Sequence, residues 1–151
     1  MTELAAVLLL ALLLGALVFA GCSASKEEKE VAGVIQNYLS LMQVVYDRAD
    51  LSLLYPIASD KELKKVFPTI QALQATGNRM KTEILEFKVK AADVQPSRAT
   101  VTTAEKWRFW WVDEKSGSIT KQKSEESYHL EYNLIKVDNR WKVDYIRNRN
   151  E

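Results

Sequence analysis

Near Met80 the spacing of apolar residues changes from the three-and-four of a helix to the two of a strand. That switch limits the folds open to the chain more than any other feature. Before it, Val31, Val34, Ile35, Tyr38, Leu39, Met42, Val45 and Tyr46 recur at i, i+3 and i+4, one continuous apolar stripe. Ser25 followed by Glu28 matches a capping box, which starts this helix near Ser25, and it should end by Asp50. Asp50 to Pro56 reads as a short helical turn. Ser59 or Asp60 can cap a second helix, with Leu63, Val66, Phe67 and Ile70 as its apolar face. Pro68 should break it, kink it or start a new turn, and Gly77-Asn78 should stop it.

After the switch, Leu85, Phe87, Val89 and Ala91 alternate with Glu86, Lys88 and Lys90, which predicts a strand with one wet face. Gln95 to Arg98 is a turn, Ala99 to Val112 a long strand, Asp113 to Gly117 a turn, and Lys121 to Val137 a third strand. Asp138-Asn139 is a two-residue hairpin turn of the kind that accepts positive φ, before a last strand with Trp141, Val143 and Tyr145 on one face. Strands joined by short turns are antiparallel, because parallel pairs need long crossovers. Helices followed by an antiparallel meander predict an α+β fold, N-terminal helices packed on a curved four-stranded sheet.

The other strong feature is an uncharged run from Leu4 to Ala20, seventeen residues long. Its length lies between a secretory h-region of roughly 7–15 residues and a spanning helix of roughly 20. It ends at Cys22, the sole cysteine of the chain, so no internal disulfide can form. Phe19-Ala20-Gly21-Cys22 resembles the lipobox of bacterial lipoproteins. The resemblance implies that diacylglycerol is added to the Cys22 thiol, that the chain is cut before Cys22, and that the new amine is acylated too. Two or three acyl chains would anchor the protein stably, where one binds only marginally. Ser23, in place of an Asp, implies the outer membrane if the host has two. The plain alternative is an uncleaved signal anchor with an incidental cysteine. The expected division is a signal peptide (1–21), a lipidated tether (22–29), one domain (30–147) and a polar tail (148–151).

The order of the remaining elements resembles the nuclear transport factor 2-like fold. Phe87-Lys88-Val89, Ala99-Thr100-Val101, Tyr128-His129-Leu130-Glu131-Tyr132 and the hairpin Asp138-Asn139-Arg140-Trp141-Lys142-Val143 carry that likeness, which covers roughly residues 28–147. It implies a cone-shaped pocket between the curved sheet and the helices. It does not imply a function, since the fold hosts isomerases, dehydratases and many non-catalytic modules.

Strand parity nominates the pocket residues. Leu85, Phe87 and Val89 should face the helices. Thr103, Glu105, Trp107, Phe109 and Trp111 should share one face, as should Tyr128, Leu130, Tyr132 and Leu134. The candidate ligand-binding set is therefore Glu105, Trp107, Tyr128, Tyr132, Trp141 and Tyr145. A carboxyl among aromatics, such as Glu105, could act as a general base or acid; it could equally be a structural group bonded to a Tyr or an Arg. His129, the only histidine, falls on the wetter face. No second histidine or free thiol accompanies it, so neither a zinc site nor any other cofactor is expected. Trp110 lies with Lys106 and Arg108 on the outer face, where it suggests contact with a protein partner or a second copy, or cover by a cation. Lys+Arg number 21 against 20 Asp+Glu, a formal net charge of +1, and the charge runs mix signs, which argues against nucleic acid as a partner. These observations lead to a membrane-anchored binding or scaffolding domain, with a small enzyme acting on an apolar molecule as the alternative.

Overall fold

The computed structural model describes residues 23–150; the expected signal peptide and Cys22 lie outside these. The first helix, α1, spans Lys26–Arg48. Its capping box is formed: the Glu28 N–H donates to Ser25 Oγ at 3.1 Å, and the Ser25 N–H donates to Glu28 Oε2 at 2.9 Å. Lys26 to Lys29, assigned by composition to the tether, therefore form the first turn of α1, because the cap fixes the start upstream of them. The stripe buries Val31, Ile35, Tyr38, Leu39, Met42 and Val45. A single 3₁₀ turn, Leu51–Leu54, follows, its start held by Asp50 accepting from the Ser52 N–H at 3.0 Å.

The second helix, α2, spans Asp60–Thr76 and ends at Gly77, whose φ of 64° suits a residue without a side chain. It runs through Pro68 rather than stopping there. Pro68 and Lys64, whose carbonyl loses its donor, both lie on the exposed face, where water can replace the missing bond. Phe67 departs from its expected place. It is 47% exposed and, with Tyr55 and Val137, lines a shallow outer groove. The buried face is Glu62, Val66, Ile70 and Leu73.

Four strands follow: β1 (Asn78–Val94), β2 (Arg98–Asp113), β3 (Ile119–Val137) and β4 (Arg140–Asn148). They form one antiparallel sheet in the order β1-β2-β3-β4. The β3–β4 turn has φ of 50° at Asp138 and 60° at Asn139, the mirror-image turn that matches strand twist.

Bulges curve the sheet and re-aim its side chains. In β1, Ile84 pairs with Trp107 but Glu86 pairs with Lys106, so Leu85 is the extra residue; Lys90 is extra in the same way. Met80, Ile84 and Phe87 pack on the core, not the expected run of Leu85, Phe87 and Val89, and Val89 is 37% exposed. In β4, Asn133 pairs with Tyr145 while Leu134 pairs with Val143, leaving Asp144 unpaired. That bulge is fastened from outside: the Ser59 N–H donates to the Val143 carbonyl at 2.9 Å and its hydroxyl to the Asp144 carbonyl at 3.1 Å. The hydroxyl expected to cap α2 is used here instead. The same segment, with the Val143 N–H donating to the Ile57 carbonyl, covers the free edge of β4.

Candidate functional site

The concave face of the sheet, α1 and α2 enclose a cleft of about 480 Å³. Its walls include Tyr38, Met42 and Tyr46 from α1, Glu62 and Val66 from α2, and Met80 and Thr82 from β1. β2 supplies Trp107, Phe109 and Trp111, and β3 supplies Tyr128, Leu130 and Tyr132. The volume and the mostly apolar lining fall within the usual range for small-molecule sites.

Of the six nominated residues, Trp107, Tyr128 and Tyr132 meet in this cleft. Glu105, Trp141 and Tyr145 do not. The bulge at Asp144 turns Tyr145 away, so that Ile146 pairs with Tyr132 and lines the cleft in its place. The Tyr145 ring instead lies under the ammonium groups of Lys61 and Lys65, at 4.6 and 4.8 Å. Trp141 is buried beyond the cleft, near the β3–β4 turn, with Lys136 Nζ 5.0 Å from its ring.

Glu105 has the inward parity read from the sequence but lies behind the cleft wall. It is 3% exposed and both its oxygens are bonded: Oε1 accepts from the hydroxyls of Thr103 at 2.7 Å and Tyr132 at 2.8 Å, and Oε2 accepts from the Trp107 indole N–H at 2.8 Å. Both oxygens are bonded within its own fold and the side chain does not border the cleft, so it is not placed to act as a general base there. Burial and Glu105 together hold the Tyr132 hydroxyl well above its ordinary value, so that group remains protonated. Tyr128 is raised as well, by burial and by its 2.6 Å hydrogen bond to Glu126.

The residue that sequence reasoning missed is Glu62. Its spacing to Val66, Ile70 and Leu73 puts it on the buried stripe of α2, a signal present in the sequence but hidden by its charge. It is 2% exposed. Tyr38 donates its hydroxyl to Glu62 Oε1 at 2.8 Å, while Oε2 has no hydrogen-bond partner. Burial, with a smaller contribution from Asp144, raises the Glu62 carboxyl above the usual glutamate value, although the Tyr38 hydroxyl, Lys65 and the Ile146 N–H, which faces the carboxyl outside hydrogen-bonding geometry, oppose the shift. Nearby, Lys65 Nζ donates to the Ile146 carbonyl.

This shift has a consequence for stability. The folded chain holds the Glu62 proton more tightly than the unfolded chain does. The resulting stabilisation is complete below the ordinary glutamate pKa and is lost as pH rises through the raised one. Comparison with Glu62→Gln cancels the opposing behaviour of the other carboxylates. Thermal melts between about pH 4 and about pH 8 should show the variant gaining on the native chain as pH rises. A gap independent of pH would contradict the burial of an ionisable Glu62.

On the convex face, Arg108 pairs with Glu83 at 2.9 Å and Glu125 at 2.7 Å, and Lys106 pairs with Glu125 at 2.9 Å. Trp110 shares this face with Lys123 Nζ 4.4 Å from its ring. His129 is exposed, its Nδ1 2.8 Å from Asn150 Oδ1. Among the described residues, no group of three or more His, Cys, Asp or Glu side chains could hold a metal ion. Nor is any helix there long and apolar enough to cross a membrane.

Comparison with known proteins agrees with this architecture. The chain is similar in structure to the intermembrane space region of the chloroplast protein ARC6, with a TM-score of 0.71, 12% identity and coverage of 83% of this chain and 98% of that one. It is also similar to Kfla4162 from Kribbella flavida, with a TM-score of 0.54, 12% identity and coverage of 80% and 90%. A nuclear transport factor 2-like superfamily protein from Salmonella enterica serovar Typhimurium gives a TM-score of 0.51, 12% identity and coverage of 78% and 91%. At these identities the likeness concerns the fold, which is α+β and nuclear transport factor 2-like. No curated protein sequence matches the chain. The family model described as ARC6-like, IMS domain matches residues 33–144, most of the chain, and the protein belongs to that family.

Proposed function

We propose that this protein is a lipid-anchored component of the cell envelope whose domain works outside the cytoplasm as a non-catalytic binding or scaffolding module. One observation carries the reading: an apolar leader ends at the sole cysteine, directly ahead of a domain of the ARC6-like intermembrane-space family. The solved relative comes from an intermembrane space, which supports a station beyond the cytoplasm. In this reading acyl chains on Cys22 hold the protein at the membrane, the outer one if the host has two. Ser23 to Ser25 then give α1 a short spacer. The binding surfaces are the cleft bordered by Trp107, Tyr128 and Tyr132 and, for a protein partner or a second copy, the convex face around Trp110.

The bonding of Glu105 supports binding over catalysis, because the nominated acid–base group is committed to Thr103, Trp107 and Tyr132. Protease access tests the location. With a tag at the C-terminus, protease added to cells stripped of their outer layers should digest the domain while a cytoplasmic marker survives. Protection of the domain until the cytoplasmic membrane is lysed would overturn the proposal.

A further inference from the structure

Among the described residues, two buried side-chain polar atoms have no hydrogen-bond partner: Glu62 Oε2 and Thr82 Oγ1. Buried polar groups are nearly always paired, so each exception calls for a cause. Here both residues border the same cleft, one from α2 and one from β1. The rest of that cleft is largely aromatic and aliphatic, and its polar side chains are mostly engaged elsewhere. Tyr132 bonds Glu105, Tyr128 bonds Glu126, Tyr38 bonds the other Glu62 oxygen, and Lys65 bonds the Ile146 carbonyl.

We propose that the cleft is a binding site for an apolar molecule carrying one hydrogen-bond donor, an amine or a hydroxyl, received by Glu62 Oε2 with Thr82 Oγ1 beside the entering group. The inference rests on the binding-module reading and gives that module its ligand chemistry. An apolar body fits between Trp107, Phe109 and Leu130, where burying hydrocarbon is favourable. The donor is what the site selects for, because a ligand without one leaves the carboxyl oxygen unsatisfied inside the protein. Tyr38 fixes the orientation: by donating to Oε1 it leaves Oε2 as the free acceptor.

The test compares two probes of nearly equal shape, 1-naphthylamine and naphthalene. Each is equilibrated by dialysis with the full chain in lipid nanodiscs, with empty nanodiscs as the blank. The native chain should bind the amine about tenfold more tightly than the hydrocarbon. Glu62→Met removes both carboxyl oxygens at similar size, so it should erase that preference while leaving naphthalene binding intact, which also shows that the variant is folded. Thr82→Val, which keeps shape and removes the hydroxyl, should narrow the preference without abolishing it. Equal binding of both probes by the native chain, or a preference that survives Glu62→Met, would overturn the donor inference while leaving a binding cleft. Uptake of neither probe would mean that the cleft holds only water, and would overturn it together with the cleft as a binding site.

Discussion

Replacing Glu105 with Leu should cost roughly 3–5 kcal/mol of folding stability, whereas Glu105→Gln should change it by less than about 1 kcal/mol. The asymmetry follows from what the neighbours require. Leu removes both acceptor oxygens and leaves three buried donors, on Thr103, Trp107 and Tyr132, without partners. Each orphaned donor costs on the order of 1–3 kcal/mol, and repacking around the apolar side chain returns part of that sum. Gln can satisfy the same three groups. Its oxygen takes the place of Oε2 and accepts from the Trp107 N–H, and its amide nitrogen takes the place of Oε1. The hydroxyls of Thr103 and Tyr132 then turn and accept, since a hydroxyl can do either. Chemical denaturation of the three proteins checks this. A Leu variant within about 1 kcal/mol of the native chain would show that Glu105 does not fasten β2 to β3. The coupling should also be visible in a double-mutant cycle with Tyr132→Phe.

The second large effect is in the N-terminal segment. Cys22→Ser removes the only thiol, so no thioether to diacylglycerol can form. Labelling by palmitate should fall from complete to none, and the leader should remain attached, because the cleavage implied by the lipobox follows lipidation. Anchoring would then depend on the run from Leu4 to Ala20 alone. Undiminished labelling of the Ser variant would contradict the lipid assignment. A variant that loses its label yet is still cut before residue 22 would contradict the order of lipidation and cleavage.

Local signals were readable in the sequence and long-range ones were not. The start of α1 is encoded by Ser25 and Glu28 three residues apart, and the β3–β4 turn by Asp138-Asn139, so both were legible. The inward parity of Trp107, Tyr128 and Tyr132 was legible too, because no bulge interrupts the stretch that pairs Glu105 with Tyr128 and Val101 with Tyr132. Strand parity fails at Tyr145 because the bulge beside it is stabilised by Ser59, 85 residues upstream of the carbonyl it bonds. Parity fails in β1 too: alternation continues through Leu85, Phe87 and Val89 in the sequence, while the extra residues at Leu85 and Lys90 break it in the fold. The role of Glu105 depends on a hydroxyl 27 residues away, which no local pattern announces. Glu62 was within reach, since helical spacing alone places it with Val66 and Ile70, but a charged residue at the edge of an apolar stripe is ordinarily solvated.

In the proposed function this fold is displayed from a lipid at its N-terminus. Intact mass spectrometry of the native chain extracted from membranes tests it most directly. The account predicts a protein beginning at Cys22 and carrying the added mass of a diacylglyceryl group, with or without a further acyl chain on the amine. A mass that still includes residues 1–21, or a Cys22 with a free thiol, would contradict it.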